Sequence, residues 1–401
     1  MNSNFAAEGG GAASAMGGSN MTAVNCTVAS NSAELWGGAV AVRGGSIFTA
    51  LECTMALNSA YMGGAFDIEG NATVTAIRCT MTLNTARCGG AIRAGDVSVV
   101  SVTDCTISSN SASYGWGGVG YGWGGAVAAV IDSTVVLTAC TMTSNTAANQ
   151  GGAVYAAGGA SMIRAIGCTM SLNRARFGGA IYASEQSAVT TMDCAMISNT
   201  AYDGGAVYGN EQAAVTTIDC SMISNSAFSL GGAVATNGEC DIASIDCTMT
   251  SNAAWNGGAV ATTGDSTITA TDCTMTSNAA YMLGGALYAE EDSTVTATDC
   301  TMTLNDGYEG GAVALEDMST FTASDCTMTS NTAFAGGAVV TGSASIVTIT
   351  NCTMASNSGR WGGAVAAHEE SAITATGCTM TSNRARDEVA SQVVQERSYF
   401  D

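Results

Sequence analysis

Apolar and polar residues alternate in short runs along almost the whole chain. Thr294-Val295-Thr296-Ala297-Thr298 places an apolar side chain at every second position, and Cys300-Thr301-Met302-Thr303 does the same. A period of two carried by Thr and Val predicts half-buried β-strands, not helices. Gly-Gly-Ala followed by one apolar residue, as at Gly284-Gly285-Ala286-Leu287, predicts a third short strand. Ser, Asn, Asp, Glu and Gly fill the intervals as turn residues.

The pattern recurs. Fourteen copies align on Cys26, Cys53, Cys79, Cys105, Cys140, Cys168, Cys194, Cys220, Cys247, Cys273, Cys300, Cys326, Cys352 and Cys378; eleven of the thirteen intervals are 26 or 27 residues, and the others are 35 and 28. An asparagine stands five residues after every one of these cysteines, from Asn31 to Asn383. A fixed period of this length marks a stacked array. Three strands and three turns use up one period, which predicts a parallel β-helix of about fourteen coils of 26–27 residues. At ~4.8 Å per coil the stack would be roughly 67 Å long.

Each column has a physical role in that fold. The apolar residue after Gly-Gly-Ala, for example Val260, Leu287 and Val313, faces the interior. Methionine two residues after the cysteine fills twelve of fourteen copies and is expected to pack the core. The asparagines suit tight, left-handed corners, and their amides can hydrogen-bond along the stack. Proline is absent, as an array that uses nearly every backbone N–H requires. Stacked cysteines would lie ~4.8 Å apart with parallel Cβ vectors, a poor geometry for disulfides, so the ladder is read as buried thiols. Cys88 and Cys240 fall outside it and are not expected to pair.

The Gly-Gly-Ala-[Ile/Val/Leu] and x-x-x-Asn elements resemble the repeat of the chlamydial polymorphic outer-membrane proteins and of kindred microbial β-helix proteins. Met55-Ala56-Leu57-Asn58 has methionine where that family usually has phenylalanine. The resemblance covers residues 1 to about 386 and implies a right-handed, pectin-lyase-like β-helix in a surface or secreted passenger domain. The family's membrane β-barrel has no counterpart in these residues. We therefore expect one repeat domain over 1–386, beginning in mid-coil at Asn4 and Gly10-Gly11-Ala12. That first rung would continue upstream or pair with another chain. Residues 387–401 are expected to form a short capping helix, with Val389, Val393 and Val394 on one face.

Net charge narrows the partners. A charge of −22 with no lysine argues against nucleic acid and anionic membranes. No stretch reaches eighteen apolar residues, and no leader peptide is visible. Two acidic columns, Asp193 to Asp325 before the cysteine and Glu185 to Glu369 after the Gly-Gly-Ala strand, read as solvated turns, with calcium as the alternative ligand. Zinc-ligand spacing is absent, so no cofactor is expected.

Three features could recognise a ligand. Tyr202, Phe228, Trp255, Tyr281, Tyr308 and Phe334 occupy one position in six consecutive coils, three residues after the ladder asparagine. The 35-residue interval holds a tandem Tyr-Gly-Trp-Gly-Gly with Trp116 and Trp123, a loop that could stack on sugar rings. Thr-x-Thr pairs such as Thr274/Thr276 and Thr301/Thr303 point outward, a lattice similar to that of ice-binding proteins. His368, the one histidine, sits beside Glu369 and Glu370 in a variable turn. The expected function is thus a non-catalytic surface or extracellular adhesive β-helix that binds polysaccharide or surface glycan. Ice binding, or lyase- or hydrolase-like action on carbohydrate, are the alternatives.

Overall fold

In the computed structural model, residues 1–113 and 122–386 are described. The chain is an all-β parallel solenoid of about fourteen coils, with no helix among the described residues. The expected capping helix falls outside them, as does Trp116. Two compact units make up the chain, Met1–Ala201 with Ala206–Val215, and Tyr202–Gly205 with Thr216–Asp401.

Within each unit every strand pairs with its counterpart one coil away. In the C-terminal unit Thr294–Thr298 lies between Thr267–Thr271 and Thr320–Ser324, residue for residue. In the N-terminal unit Thr73–Ile77 lies between Ile47–Leu51 and Val99–Thr103. The three-residue strand after the cysteine and the Gly-Gly-Ala strand stack in the same manner. A fourth, two-residue strand follows the ladder asparagine in many coils, as in Thr85–Ala86 paired with Ser111–Ala112 and Ala253–Ala254 paired with Ala279–Ala280. Two residues show no period, so alternation along the chain could not reveal it.

The predicted columns are the core. Met275, Met302 and Met328 are fully buried and stand in register through Thr274–Thr276, Thr301–Thr303 and Thr327–Thr329. All sixteen cysteines are free thiols; Cys53 to Cys352 of the ladder are buried, as are Cys88 and Cys240. The 35-residue interval leaves the register intact, because Thr106–Ser108 pairs directly with Thr141–Thr143.

The asparagines form a continuous buried ladder in each unit. Asn278 Oδ1 accepts from the backbone N–H of Asn252 at 2.9 Å and from its Nδ2 at 3.0 Å. Asn278 Nδ2 donates to Met249 O at 2.9 Å and to Asn305 Oδ1 at 3.1 Å. Every polar atom of the buried carboxamide is thereby used. The left-handed residue of this corner is the one before the asparagine, Ser277 (φ 56) or Leu304 (φ 58), not the asparagine itself. What fixes asparagine is its hydrogen bonding and not tolerance of a left-handed backbone.

The Gly-Gly pair serves two different needs. Gly284 has φ +65, and a Cβ on Gly285 would collide with the carbonyl oxygen of Gly311 in the next coil. The first glycine supplies the conformation and the second allows close approach.

Candidate functional site

The aromatic column runs along one edge of the C-terminal unit, in the turn after the ladder asparagine. Its rings pair across coils: Tyr202–Phe228 at 5.3 Å, Trp255–Tyr281 at 4.4 Å and Tyr308–Phe334 at 5.0 Å between centroids. Stacking of this kind contributes about 0.5–1.5 kcal/mol per pair. It does not bury them: Phe228 is 70% exposed, Tyr281 69%, and Tyr202, Trp255 and Tyr308 45–47%. Phe334 is half-buried and meets Trp361 edge-on at 4.7 Å. Trp361 walls a shallow cavity of about 300 Å³ shared with Leu283, Glu309, Glu316 and His368. The edge thus ends in a recess with an aromatic side and acidic groups. Where arginine replaces a ring in the column, its guanidinium lies over a neighbouring ring, Arg87 over Tyr61 at 4.3 Å and Arg360 over Phe334 at 5.2 Å.

A second aromatic column escaped the sequence reading. Tyr155 stacks on Trp123 at 5.2 Å and on Tyr182 at 5.5 Å, and Tyr182 on Tyr208 at 5.7 Å. These tyrosines follow the inward residue of the Gly-Gly-Ala strand, so alternation would turn them to solvent. They are buried because the stretch after the short fourth strand folds beside them; Trp123 bridges Cys88 on one side and Gln150 on the other. Trp123 is therefore part of this packed column instead of an exposed loop.

Earlier coils of the same column hold a largely buried ion cluster that sequence reasoning also missed. Asp67, with no exposed side-chain surface, pairs with Arg43 and Arg93 at 2.9 Å each. Glu69 pairs with the same arginines at 2.9 and 2.6 Å. Arg43 also lies 3.8 Å over the Trp36 ring. Burial pushes the Asp67 carboxyl up, opposed by the charge of Arg93 and the hydrogen bond from Arg43. Burial likewise pushes the neighbouring Cys88 thiol up to about 12, so it stays protonated at neutral pH.

The acidic column before the cysteine has a backbone explanation. Asp193, Asp219, Asp246, Asp272, Asp299 and Asp325 all have φ between 51 and 56, where Asp and Asn are favoured. Among the described residues no group of three or more His, Cys, Asp or Glu is arranged to hold a metal ion. The outward threonine face spends some hydroxyls on itself, with Thr303 and Thr329 at 3.0 Å and Thr143 and Ser171 at 3.1 Å.

Burial, as the largest influence, raises Glu290 and Glu316 above the ordinary carboxylate range, and neighbouring acids add to it; the Tyr288 hydroxyl donates to Glu290 at 2.6 Å and opposes the rise. The folded chain therefore binds protons more tightly at these groups than the unfolded chain. Stability should rise as pH falls through their folded-state pKa values, and the gain is complete below the unfolded values. Thermal melts taken as the pH is lowered from neutral toward the ordinary carboxylate range should show a contribution from these groups that raises Tm. A Tm that falls over this range would contradict the placement of Glu290 and Glu316.

Comparison with known families agrees with this architecture. Residues 205–386 match the family model described as "Right handed beta helix region". Residues 139–157, which contain a cysteine-to-Gly-Gly-Ala segment, match the "Chlamydia polymorphic membrane protein (Chlamydia_PMP) repeat". Over residues 205–386 the chain is thus similar to a right-handed β-helix. The likeness to the polymorphic membrane protein repeat read from the motifs stands with it. No curated protein and no solved structure gives a significant match.

Proposed function

We propose that this β-helix is a non-catalytic, surface-displayed adhesive element that holds a polysaccharide along the Tyr202–Phe334 edge. The observation behind this reading is the set of ring pairs left open to solvent at coil spacing, where a closed core would have buried them. Sugar rings stack on aromatic faces, and a linear polymer meeting several pairs gains avidity from individually weak contacts. The surrounding carboxylates and a net charge of −22 favour a neutral or cationic polymer over a polyanion. Trp361 and its recess would extend the edge beyond Phe334. Surface display fits the polymorphic membrane protein repeat.

The alternatives have less support. Ice binding needs a regular hydroxyl lattice, and Ile197, Ile223 and Ala355 interrupt this one. Carbohydrate cleavage needs a base beside clustered cations, whereas the clustered arginines Arg43 and Arg93 are committed to Asp67 and Glu69.

Trp255→Ala with Tyr281→Ala should weaken binding on a glycan array at least about tenfold while lowering stability by only about 1–2 kcal/mol, the order of one ring pair and its packing. Unchanged binding by the double variant, with the melt still cooperative, would remove the edge from the account.

A further inference from the structure

We infer that the exposed asparagines Asn20, Asn25, Asn71 and Asn351 are acceptors for N-linked glycans, placed on the side of the coil that the aromatic edge does not use. The inference goes beyond the adhesive reading but rests on its placement of the chain at the cell surface.

Four Asn-x-Thr triplets occur: Asn20-Met21-Thr22, Asn25-Cys26-Thr27, Asn71-Ala72-Thr73 and Asn351-Cys352-Thr353. The transferase that reads this triplet requires an asparagine and a hydroxyl two residues on, with no proline between. All four asparagines are exposed, and Thr22 and Thr27 are exposed as well. Asn20 and Thr22 share the outward face of the strand Asn20–Val24. Asn25, Asn71 and Asn351 have φ of 50, 58 and 53, so each projects from a left-handed turn.

The fold sorts its asparagines into two classes. The fourteen ladder asparagines, buried through most of the stack and bonded through both amide atoms, are all followed at the second position by Ala or Gly. Ala86, Ala112 and Ala147 at that position are themselves buried. No ladder asparagine is therefore an acceptor.

Position within the coil gives the inference its content. Asn20 lies on the five-residue strand, and Asn71 and Asn25 flank that strand in their coils, as does Asn351. The aromatic column follows the three-residue strand, on another corner. Asn20 and Asn25 stand about 17 Å apart along an extended strand, enough for two separate chains. Within its own coil each glycan would lie beside the five-residue strand, and the one on Asn351 would stay off the corner that carries the aromatic column of its unit.

The reaction needs a lipid-pyrophosphate-linked oligosaccharide as donor. The asparagine amide nitrogen attacks C1 of the first sugar, forming the C1–N bond. The C1–O bond to the pyrophosphate breaks, the lipid pyrophosphate leaves, and the nitrogen gives up one proton.

The test uses the full chain recovered by surface biotinylation from its own cells, treated with peptide N-glycosidase in ¹⁸O-water and read by peptide mass spectrometry. Heavy aspartate at these four positions, with none at Asn252 or Asn278, is the expected result. Surface-labelled chain with four unmodified asparagines would overturn the inference and leave the adhesive reading standing. Absence of the chain from the surface fraction would overturn both. In a secreting yeast host, Thr22→Ala and Thr73→Ala should each remove one glycosidase-sensitive gel shift and Thr→Ser should retain it. Shifts that persist in the alanine variants would overturn the assignment.

Discussion

Asn278→Ala is expected to cost about 3 kcal/mol or more, since three buried groups lose their partner at about 1–3 kcal/mol each. The backbone N–H and Nδ2 of Asn252 would lose their acceptor, and Met249 O would lose its donor. The space left is too enclosed for ordinary hydration, because the position is fully buried. Asn278→Asp separates the contributions: it keeps the acceptor oxygen but sets a carboxylate against Met249 O. It should destabilise at neutral pH and recover part of the loss in acid, when the protonated carboxyl can donate. In a stacked array the damage is local before it is global, so amide exchange at Asn252 should accelerate most. A loss below about 1 kcal/mol, with Asn252 still protected, would show that the ladder is only decorative.

Asp67→Ala should also be damaging, at about 3 kcal/mol, because it removes the fully buried carboxylate that Arg43 and Arg93 share and leaves Glu69 alone to neutralise both. The side chain of Arg93 is 9% exposed and that of Arg43 21%, so solvent offers little relief. Replacing the set together, as Asp67→Leu with Arg43→Met, Arg93→Met and Glu69→Gln, should restore most of the loss. Equal losses in the single and quadruple variants, measured by chemical denaturation, would mean that shape and not charge pairing governs this cluster.

These two sites differ in how far they could be read from the chain. Asn278 announces itself because its column repeats at a fixed offset from each cysteine, and periodicity translates directly into stacking. The burial of Met275 follows from the same alternation. Asp67 shows no such sign: its column holds Ala41 before it and Ala128 beyond Arg93, so two consecutive coils break the rule. The partners meet only because coils stack, which brings residues 24 and 26 apart in sequence side by side. Tyr155, Tyr182 and Tyr208 were hidden for a related reason. Alternation assigns a residue to the outer surface of a sheet, and cannot show that a neighbouring turn covers that surface. The edge from Tyr202 to Phe334 was legible as a column and as a set of ring pairs; its degree of exposure became visible only in the structure.

The central claim is that exposed ring pairs at coil spacing bind a linear glycan, and affinity as a function of oligosaccharide length tests it most directly. With titration calorimetry on the intact chain, a neutral oligosaccharide long enough to reach two ring pairs should bind at least about tenfold more tightly than one that reaches a single pair. Trp255→Ala with Tyr281→Ala should flatten that dependence. Affinity independent of length, or the same length dependence in the double variant, would contradict the account.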